Sequence, residues 1–365
     1  MNKWYFFFRR RPAITSKQTY KRIKLHIILL LVISMYSYAD AQNQRLRIME
    51  YNVENLFDTL HAEGKADYEF TPQSERRWNT PRYWSKQVKL SKVIAAVGGL
   101  TPPDLVALIE VENDTVVNHL INRTKLWRLG YQYICTQSAD TRGLNVALLY
   151  LPHRFRPIIT HTLRIPPTSH KLAFTRDVLH VAGELTTGDT LDLLICHFPS
   201  RRNGKLSERY RNQVAQNVRR YTDSLMTKRQ NPAIILTGDF NTWYPEDCLK
   251  LHFGVQLLET NNIQPHTLYI LSHQLQATHN IRGTYKFRGE WNQLDHFIVN
   301  GALLQPPSHS RALHIQKKAC RIADFKFLLQ HERNGEGVRP RRSFLGNFYQ
   351  GGYSDHLPLV LDLNF

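Results

Sequence analysis

The stretch Ala233–Asn241, AIILTGDFN, decides the fold that this sequence predicts. Its apolar first half is typical of a strand buried on both faces, and its second half ends in turn-forming residues. Side chains two positions apart on a strand share a face, so Asp239 and Asn241 are expected to point together from the strand's end. A carboxylate and an amide in that position can accept a proton and orient an oxygen. Taken alone, the stretch is more simply explained as a capped turn.

Polar side chains also follow other predicted strands. The strand Arg45–Tyr51 leads to Asn52, and the buried strand Asp104–Ile109 leads to Glu110. A carboxylate at the end of a buried strand is costly unless it is paired, hydrogen-bonded or bound to a cation. Glu110 therefore favours a functional site over a structural role.

The later strands repeat this pattern. Thr190–Cys196, the second arm of a hairpin with a turn at Gly188-Asp189, ends in His197. Asp295 precedes another strand, and Asp355 and His356 precede the last one. A lone histidine at a strand end more often has a structural role. The catalytic interpretation of His197 therefore depends on the presence of polar side chains at the ends of several other predicted strands.

Hydrophobic periodicity and composition predict the elements between these strands. The stretch from Asn241 to about Leu275 is expected to be helical or irregular. The further elements expected are helices over Tyr83–Val97 and Tyr210–Leu225, strands at Tyr131–Thr136, Asn145–Tyr150, Val178–Leu185, Phe297–Asn300 and Leu359–Leu363, and a surface loop over Gln330–Gln350.

The first 41 residues have the pattern of an export signal. Eight basic side chains precede the apolar run Leu25–Met35, and Ala39-Asp40-Ala41 is a small-x-small cleavage site before Gln42. The apolar run is shorter than the roughly 20 residues that span a bilayer. We therefore expect export to the periplasm or the exterior after cleavage following Ala41, with an uncleaved membrane anchor as the alternative.

The charge of the rest of the chain is strongly basic. The whole sequence carries 48 basic and 30 acidic side chains; without residues 1–41 it keeps 40 and 29, a net charge of +11. Such a balance favours a polyanionic substrate or surface, although a basic protein without a polyanionic partner is almost as good an interpretation.

Four cysteines, Cys135, Cys196, Cys248 and Cys320, have no metal-binding spacing and are few for an exported protein. Cys135 and Cys196 lie in apolar runs, where buried thiols are more common than a disulfide framework. No linker or internal repeat divides the roughly 320 remaining residues, so we expect one large domain over 45–365.

Six motifs in a fixed order identify a family resemblance. They are YNVENLFD at 51–58, ALIEVEN at 107–113, CHFPS at 196–200, GDFN at 238–241, LDH at 294–296 and SDHLP at 354–358. Together they resemble the endonuclease/exonuclease/phosphatase superfamily, which includes deoxyribonuclease I, abasic-site endonucleases, neutral sphingomyelinases and inositol-polyphosphate phosphatases. The resemblance implies an α/β four-layer sandwich, in which two mixed, mainly antiparallel sheets pack face to face with helices outside.

The resemblance also implies metal-assisted hydrolysis of phosphate esters. Glu110 resembles the principal metal carboxylate of the family, with Asn52 and Asp355 near the same ion. These oxygen ligands suit Mg²⁺ or Mn²⁺. Such an ion polarises the phosphate and offsets the charge on the leaving oxygen.

The catalytic roles are carried over in the same way. Asp239 resembles the residue that activates the attacking water, and Asn241 the residue that orients the phosphate. His356 resembles the family's histidine on the phosphoryl oxygen, with Asp295 fixing its tautomer. His197 lies where many members donate a second hydrogen bond to the phosphate.

Three side chains are expected to contact the substrate outside the catalytic set. Arg142 and Arg201 lie in basic or polar loops, and Tyr285 belongs to a mixed aromatic and basic segment that can stack on bases or grip phosphates. We expect a nuclease-like phosphodiesterase. A phosphatase or phospholipid phosphodiesterase is the alternative, and a catalytically inactive binding module is the alternative of another class. No obligate protein partner is evident, and a monomer is expected.

Overall fold

The computed structural model describes residues 21, 23–29, 45–167, 169–258, 262–305, 312–316, 318–332 and 337–365. The chain forms two compact units, Met1–Arg45 and Leu46–Phe365. Residues 21 and 23–29 of the first unit are helical, whereas the predicted cleavage site after Ala41 lies outside the described residues. In the part of the chain that is described, none of the helices has the length and apolar character needed to cross a membrane.

Strands are the most numerous elements in the described part of the second unit. In chain order they are β1 (Arg45–Leu56), β2 (Leu105–Val111), β3 (Gln132–Cys135), β4 (Asn145–Tyr150), β5 (Phe155–Leu163), β6 (Val178–Leu185), β7 (Thr190–His197), β8 (Ile234–Asp239), β9 (Gln256–Leu257), β10 (Leu268–Ile270), β11 (Tyr285–Phe287), β12 (Glu290–Asn292), β13 (Asp295–Asn300), β14 (Cys320–Ile322), β15 (Leu329–His331), β16 (Val338–Pro340), β17 (Phe344–Leu345), β18 (Phe348–Tyr349) and β19 (Leu359–Asn364).

In the described part of the second unit, three α-helices accompany the strands, together with short helical turns. The α-helices are α1 (Thr80–Gly98), α2 (Asp114–Asn122) and α3 (Lys205–Lys228). The short turns are 3₁₀-helices at Tyr68–Phe70, Lys125–Leu129, Thr278–Asn280, Gly301–Leu304 and Lys326–Leu328, and a π-helix at Cys248–Phe253.

Two large mixed sheets contain most of the strands. One has six strands in the order β14-β19-β1-β2-β4-β3, and the other has seven in the order β5-β6-β7-β8-β13-β10-β9. The pairs β1–β2, β7–β8 and β9–β10 are parallel, whereas antiparallel pairing predominates elsewhere. The predicted sandwich of two mixed, mainly antiparallel sheets is confirmed.

The layers follow from the alternation of side chains along the strands. In β7, Leu193 and Ile195 join the core between the two sheets, whereas Leu194 joins a second cluster with Val214 and Val218 of α3. The seven-stranded sheet therefore has the other sheet on one face and α3 on the other. Helices α1 and α2 contribute to the first core cluster with the six-stranded sheet.

Helix α1 shows why the long elements were predictable. The side chain of Asn79 caps its first turn by accepting from the Arg82 N–H at 3.2 Å. Gly99, with φ at 67°, ends it. The predicted helix Tyr83–Val97 is therefore three residues too short at its start and one at its end.

The structure corrects three predictions about irregular segments. The stretch after Asn241 contains β9 and β10, which extend the seven-stranded sheet. The expected surface loop Gln330–Gln350 contains β16 and the small hairpin β17–β18. The turn between β6 and β7 has four residues, Thr186–Asp189, rather than two. Strands of two or three residues are too short to show a period of their own, and tertiary contacts determine them.

Candidate active site

Three neighbouring strands of the seven-stranded sheet bring polar side chains together at one edge. The pairing register places Asp239 of β8 opposite His197 of β7 on one side and opposite Asp295 of β13 on the other. Gly238, with φ at 133°, lets β8 approach β7 closely, because a Cβ there would collide with the Cys196 carbonyl oxygen. The ends of these strands therefore form one cluster.

The six-stranded sheet adds Asn52 and Glu110 to the same cluster. Asn52 donates its Nδ2 proton to Asp239 Oδ2 at 3.2 Å, so this bond links the two sheets. His197 Nε2 lies 3.8 Å from Glu110 Oε1 and 3.7 Å from Asp239 Oδ2. Side chains from both sheets therefore meet around His197, although β2 and β8 are more than 120 residues apart in the chain.

Strained backbone positions surround this cluster. Glu110 has φ at 68°, Asn55 at 55° and Asn241 at 50°, values that residues other than glycine rarely adopt. Hydrogen bonds hold two of them in place: Asn55 N–H donates to Glu110 Oε2 at 2.9 Å, and Asn241 N–H donates to Asp239 Oδ1 at 2.8 Å. The fold thus fixes the Glu110 carboxylate and the Asn241 side chain at this edge at a cost in local backbone energy.

His356 and Asp295 form a hydrogen-bonded pair. His356 Nδ1 lies 2.7 Å from Asp295 Oδ2, which also accepts a hydrogen bond from Thr284 Oγ1. Burial alone would lower the pKa of His356, but the Asp295 carboxylate outweighs it and raises that pKa well above its usual value. His356 is therefore an imidazolium at neutral pH, with its Nδ1 proton directed at Asp295.

Glu50 lies close to this pair, and its surroundings disfavour the charged form of its carboxyl group. Its side chain is fully buried, and among the residues described no donor group reaches either of its oxygens. Burial, and next the negative charge of Asp295, raise its pKa well above the usual value.

Burial also controls the ionisation of Asp239 and His197. Burial, followed by the charge of Asp295, raises the pKa of Asp239 to about 7. Burial, followed by the positive charges of Arg176 and Arg142, lowers the pKa of His197 well below its usual value. Asp239 thus has the proton affinity of a general base for neutral pH, and His197 is a neutral imidazole.

The cluster opens into a pocket of about 560 Å³. Its walls combine carboxylates, amides, arginines and aromatic rings. The lining side chains are Asn55, Glu110, Arg142, Arg176, His197, Ser200, Arg201, Arg202, Asp239, Asn241, Trp243, Tyr285, Phe287, Asn292, Leu294, Asp355 and His356. Of the residues predicted for the site, Asn52 and Asp295 lie behind this wall and the others face the pocket.

The carboxylates of the pocket are suitable ligands for a hard divalent cation. Glu110 and Asp355 both face the pocket, and Asp355 lies 3.8 Å from the guanidinium of Arg342. Asp239, Asp295 and His356 are a second grouping within the described chain, whose nearest ligand atoms lie within 4.8 Å of one another. Because His356 Nδ1 and Asp295 Oδ2 are hydrogen-bonded to each other, these two atoms are not both available to a cation. The carboxylate oxygens of Glu110 and Asp355 are of the type that a hard divalent cation prefers.

The predicted substrate-binding side chains all line the pocket. Arg142 donates to Asn55 Oδ1 at 2.6 Å. Arg201 lies 4.2 Å above the ring of Trp243 and is paired with both oxygens of Glu246, at 2.8 and 3.0 Å. Tyr285 packs against His356 with ring centroids 4.8 Å apart.

Several lining or supporting residues were missed by the sequence analysis. Arg176 and Trp243 line the pocket but belong to polar segments without a local signal, whereas Asn55 lies within the motif YNVENLFD and was given no role. Glu50 did leave a signal, because it is a charged residue inside the otherwise apolar strand β1. All four cysteines are free thiols in the structure as described, and Cys135 is only half-buried rather than buried.

Comparison with known sequences gives one match. A sequence model described as "Endonuclease/Exonuclease/phosphatase family" matches residues 47–364. No curated protein matches the chain.

Solved structures share the fold at low sequence identity. A humanized D. rerio TDP2 is 17% identical with a TM-score of 0.54, and the match covers 88% of this chain and 99% of that one. D. rerio TDP2 complexed with single-strand DNA product is 16% identical with a TM-score of 0.52, covering 88% and 99%. A mannosyl-6-phosphatase of Bacteroides thetaiotaomicron VPI-5482 is 16% identical with a TM-score of 0.53, covering 88% and 100%.

Proposed function

The chain belongs to the endonuclease/exonuclease/phosphatase family of phosphoester hydrolases, and we propose that it is a divalent-metal-dependent phosphodiesterase that cleaves nucleic acid. One observation carries the chemistry: the side chains of Glu110, Asp239, His197 and His356 all face the same pocket. A metal carboxylate, a base and two hydrogen-bond donors are what hydrolysis of a phosphate ester needs.

The proposed roles follow from the geometry of the site. Glu110 and Asp355 hold the cation, with Asn52 supporting the site from behind. A bound Mg²⁺ or Mn²⁺ polarises the phosphate and offsets the charge that develops on the leaving oxygen. Asn241 is fixed beside Asp239 and directs its amide toward the phosphate.

Asp239 accepts the proton of the attacking water, since its pKa of about 7 leaves a useful fraction ionised at neutral pH. His356 is held as an imidazolium by Asp295, so its free Nε2–H donates to a non-bridging phosphoryl oxygen. His197 is neutral and donates or accepts through Nε2, which faces Glu110 and Asp239.

The rim of the pocket supports nucleic acid as the substrate. Arg201 and Arg202 are exposed residues that line the pocket, with Arg201 also paired with Glu246, and the exposed ring of Phe287 lies in the β11–β12 hairpin. Arginines neutralise backbone phosphates, and exposed aromatic rings stack on unpaired bases. D. rerio TDP2 has been crystallised with single-strand DNA product, and the present chain shares its fold.

The test uses the purified chain with single-stranded DNA and with plasmid DNA. We expect cleavage in Mg²⁺ or Mn²⁺, none in EDTA, and a loss of about 10²–10⁴ in kcat for Asp239→Asn. Asp189→Asn is the matched control, because Asp189 precedes β7 at the end opposite His197. Inertness toward both DNAs, with turnover of another ester, would reject nucleic acid as the substrate.

A phosphatase is the second candidate, because two arginines that line the pocket, Arg142 and Arg176, are partly or fully buried. A phosphomonoester carries a second negative charge that such cations stabilise. Faster metal-dependent hydrolysis of p-nitrophenyl phosphate than of bis(p-nitrophenyl) phosphate would favour this candidate.

We also propose that the protein is exported, as its basic and apolar first 41 residues suggest. N-terminal sequencing of the protein from its native cells should then begin at Gln42. An intact Met1 in the membrane fraction would favour the anchor instead.

A further inference from the structure

Arg176 is a buried cation in the wall of the active-site pocket, and we infer that it binds a non-bridging oxygen of the substrate phosphate. The inference rests on the proposed phosphoester hydrolysis, but it assigns a residue that lies in no recognised motif. Arg176 precedes β6 and is 8% exposed, and it nevertheless lines the pocket.

The guanidinium is fixed to the catalytic strands through one carbonyl group. Arg176 Nη2 donates to the Phe198 carbonyl oxygen at 2.6 Å, and Asn241 Nδ2 donates to the same oxygen at 3.1 Å. The N–H of Phe198 in turn donates to the Asp239 carbonyl oxygen at 2.9 Å. Arg176 therefore has a defined position next to the two residues that orient the phosphate and activate the water.

Most donors of this guanidinium are not used within the protein. Arginine has five N–H donors. In the described part of the chain, Arg176 Nε has no hydrogen-bond partner, and Nη1 lies 3.6 Å from Asp140 Oδ2, beyond hydrogen-bonding distance. The ion pair with the buried Asp140 offsets part of the cost of burying this cation, but it leaves N–H donors without a hydrogen bond that an anion in the pocket can accept from.

Arg154 shows the usual arrangement of an equally buried arginine. It is also 8% exposed, but its Nε donates to Asp104 Oδ1 at 2.7 Å, and it does not line the active-site pocket. Both arginines are paired with a buried aspartate, but Arg176 makes no hydrogen bond to its aspartate and faces the active-site pocket, which indicates a partner outside the chain.

The electrostatic surroundings identify that partner as an anion at the catalytic centre. Arg176 lies within electrostatic reach of Glu110 and Asp239, and its charge helps to keep His197 neutral. A phosphoryl oxygen placed between these groups can accept from the unused Nη N–H donors of Arg176. Such a charge-assisted bond strengthens as negative charge develops in the transition state.

The experiment compares Arg176→Gln, Arg176→Lys and Arg154→Gln in the full chain. With Mg²⁺ and bis(p-nitrophenyl) phosphate or p-nitrophenyl phosphate, we expect kcat/KM to fall about 100-fold for Arg176→Gln and about tenfold for Arg176→Lys. Arg154→Gln should retain kcat/KM within about twofold, even if its melting temperature falls. A further variant, Arg176→Ala, should regain part of its activity when guanidinium is added to the assay. If Arg176 served only to hold the Phe198 carbonyl in place, we would expect no such recovery.

A second measurement does not depend on turnover. Calorimetry with inorganic phosphate, in the presence of Mg²⁺, should show binding at least about tenfold weaker for Arg176→Gln than for the wild type. If the wild type hydrolyses neither ester but this difference holds, the proposed function fails and the role of Arg176 stands. Equal phosphate affinities in folded Arg176→Gln and wild-type protein overturn it. If Arg176→Gln does not fold, Arg176→Lys decides by the same comparison.

Discussion

His296 illustrates how two contacts determine the charge of a single residue. Its Nε2 lies 2.9 Å from the Thr242 carbonyl oxygen, which only accepts, so Nε2 carries the proton. Its Nδ1 lies 2.7 Å from Ser272 Oγ, and the hydroxyl can donate to it. Burial is the main reason that the pKa of His296 falls to about 4. The folded protein therefore holds a neutral imidazole where the unfolded chain protonates readily.

This neutral histidine makes stability dependent on pH. The unfolded state binds the extra proton below pH 6.5, so folding stability is lost as the pH falls from 6.5 towards 4. We expect His296→Gln, whose amide can donate to Thr242 and accept from Ser272, to lose about 3 kcal/mol less than the wild type over that interval. Urea denaturation at pH 8, 6.5, 5 and 4 measures the difference. Parallel curves for the two proteins would contradict the assignment.

Among single residues, the sequence predicted those that stand at the ends of long strands. Glu110, His197 and Asp239 each follow an apolar run, and the structure brings all three to one pocket. Arg176 was not predictable, because nothing local distinguishes an arginine in a polar loop from a solvated one. Its importance depends on the distant Phe198 carbonyl, 22 residues away in the chain.

At the scale of elements, helix α1 allows the effect of side-chain burial on stability to be distinguished from the effect of helix propensity. Val93 is fully buried in the first core cluster, whereas Val88 on the same helix is 57% exposed. The two positions have the same residue type and the same backbone conformation. Differences between substitutions at these positions therefore report burial alone.

We expect Val93→Asp to unfold the protein, because a charge without a partner in the core costs more than about 4 kcal/mol. Val88→Asp is the matched control and should change the stability by no more than about 0.5 kcal/mol. Circular dichroism during thermal denaturation distinguishes the two variants. A cooperative transition at the wild-type temperature for Val93→Asp would show that this face of α1 is not packed.

Most long strands were predicted from the sequence and most very short ones were not, because a hydrophobic period can be recognised only over several residues. The strand β4 matches the predicted Asn145–Tyr150, because six alternating or apolar residues define a period. The strand β10 has only three residues and pairs with β13 through Leu268, Tyr269 and Ile270. A strand this short forms because the neighbouring strand has backbone N–H and C=O groups available for hydrogen bonds. The sequence of the short strand itself does not show that such a neighbour is present.

For the whole molecule, the essential feature is that the two sheets share one site. Asn52 and Glu110 come from one sheet, and Asp239 and His197 come from the other. A cation bound to this site therefore stabilises the folded chain but not the unfolded one, in which the ligands are far apart.

We expect Mg²⁺ at about a hundredfold excess over its Kd to stabilise the chain by about 2.7 kcal/mol, seen as a higher melting temperature. Glu110→Gln should remove most of this shift, because it removes a carboxylate ligand. Glu184→Gln, on β6 and outside the pocket, should keep it. An unchanged shift in Glu110→Gln would move the cation to other ligands.

The position of β19 between β14 and β1 has a consequence for biosynthesis. On the ribosome, β1 emerges about 300 residues before the strand that lies beside it, so its edge stays unsatisfied until translation of the domain is nearly finished. The six-stranded sheet is therefore completed only after the last strand of the domain has been synthesised. In a circular permutant, a short linker would join the neighbouring ends of β1 and β19, and new termini would be made in another loop. The two strands would then be synthesised in succession.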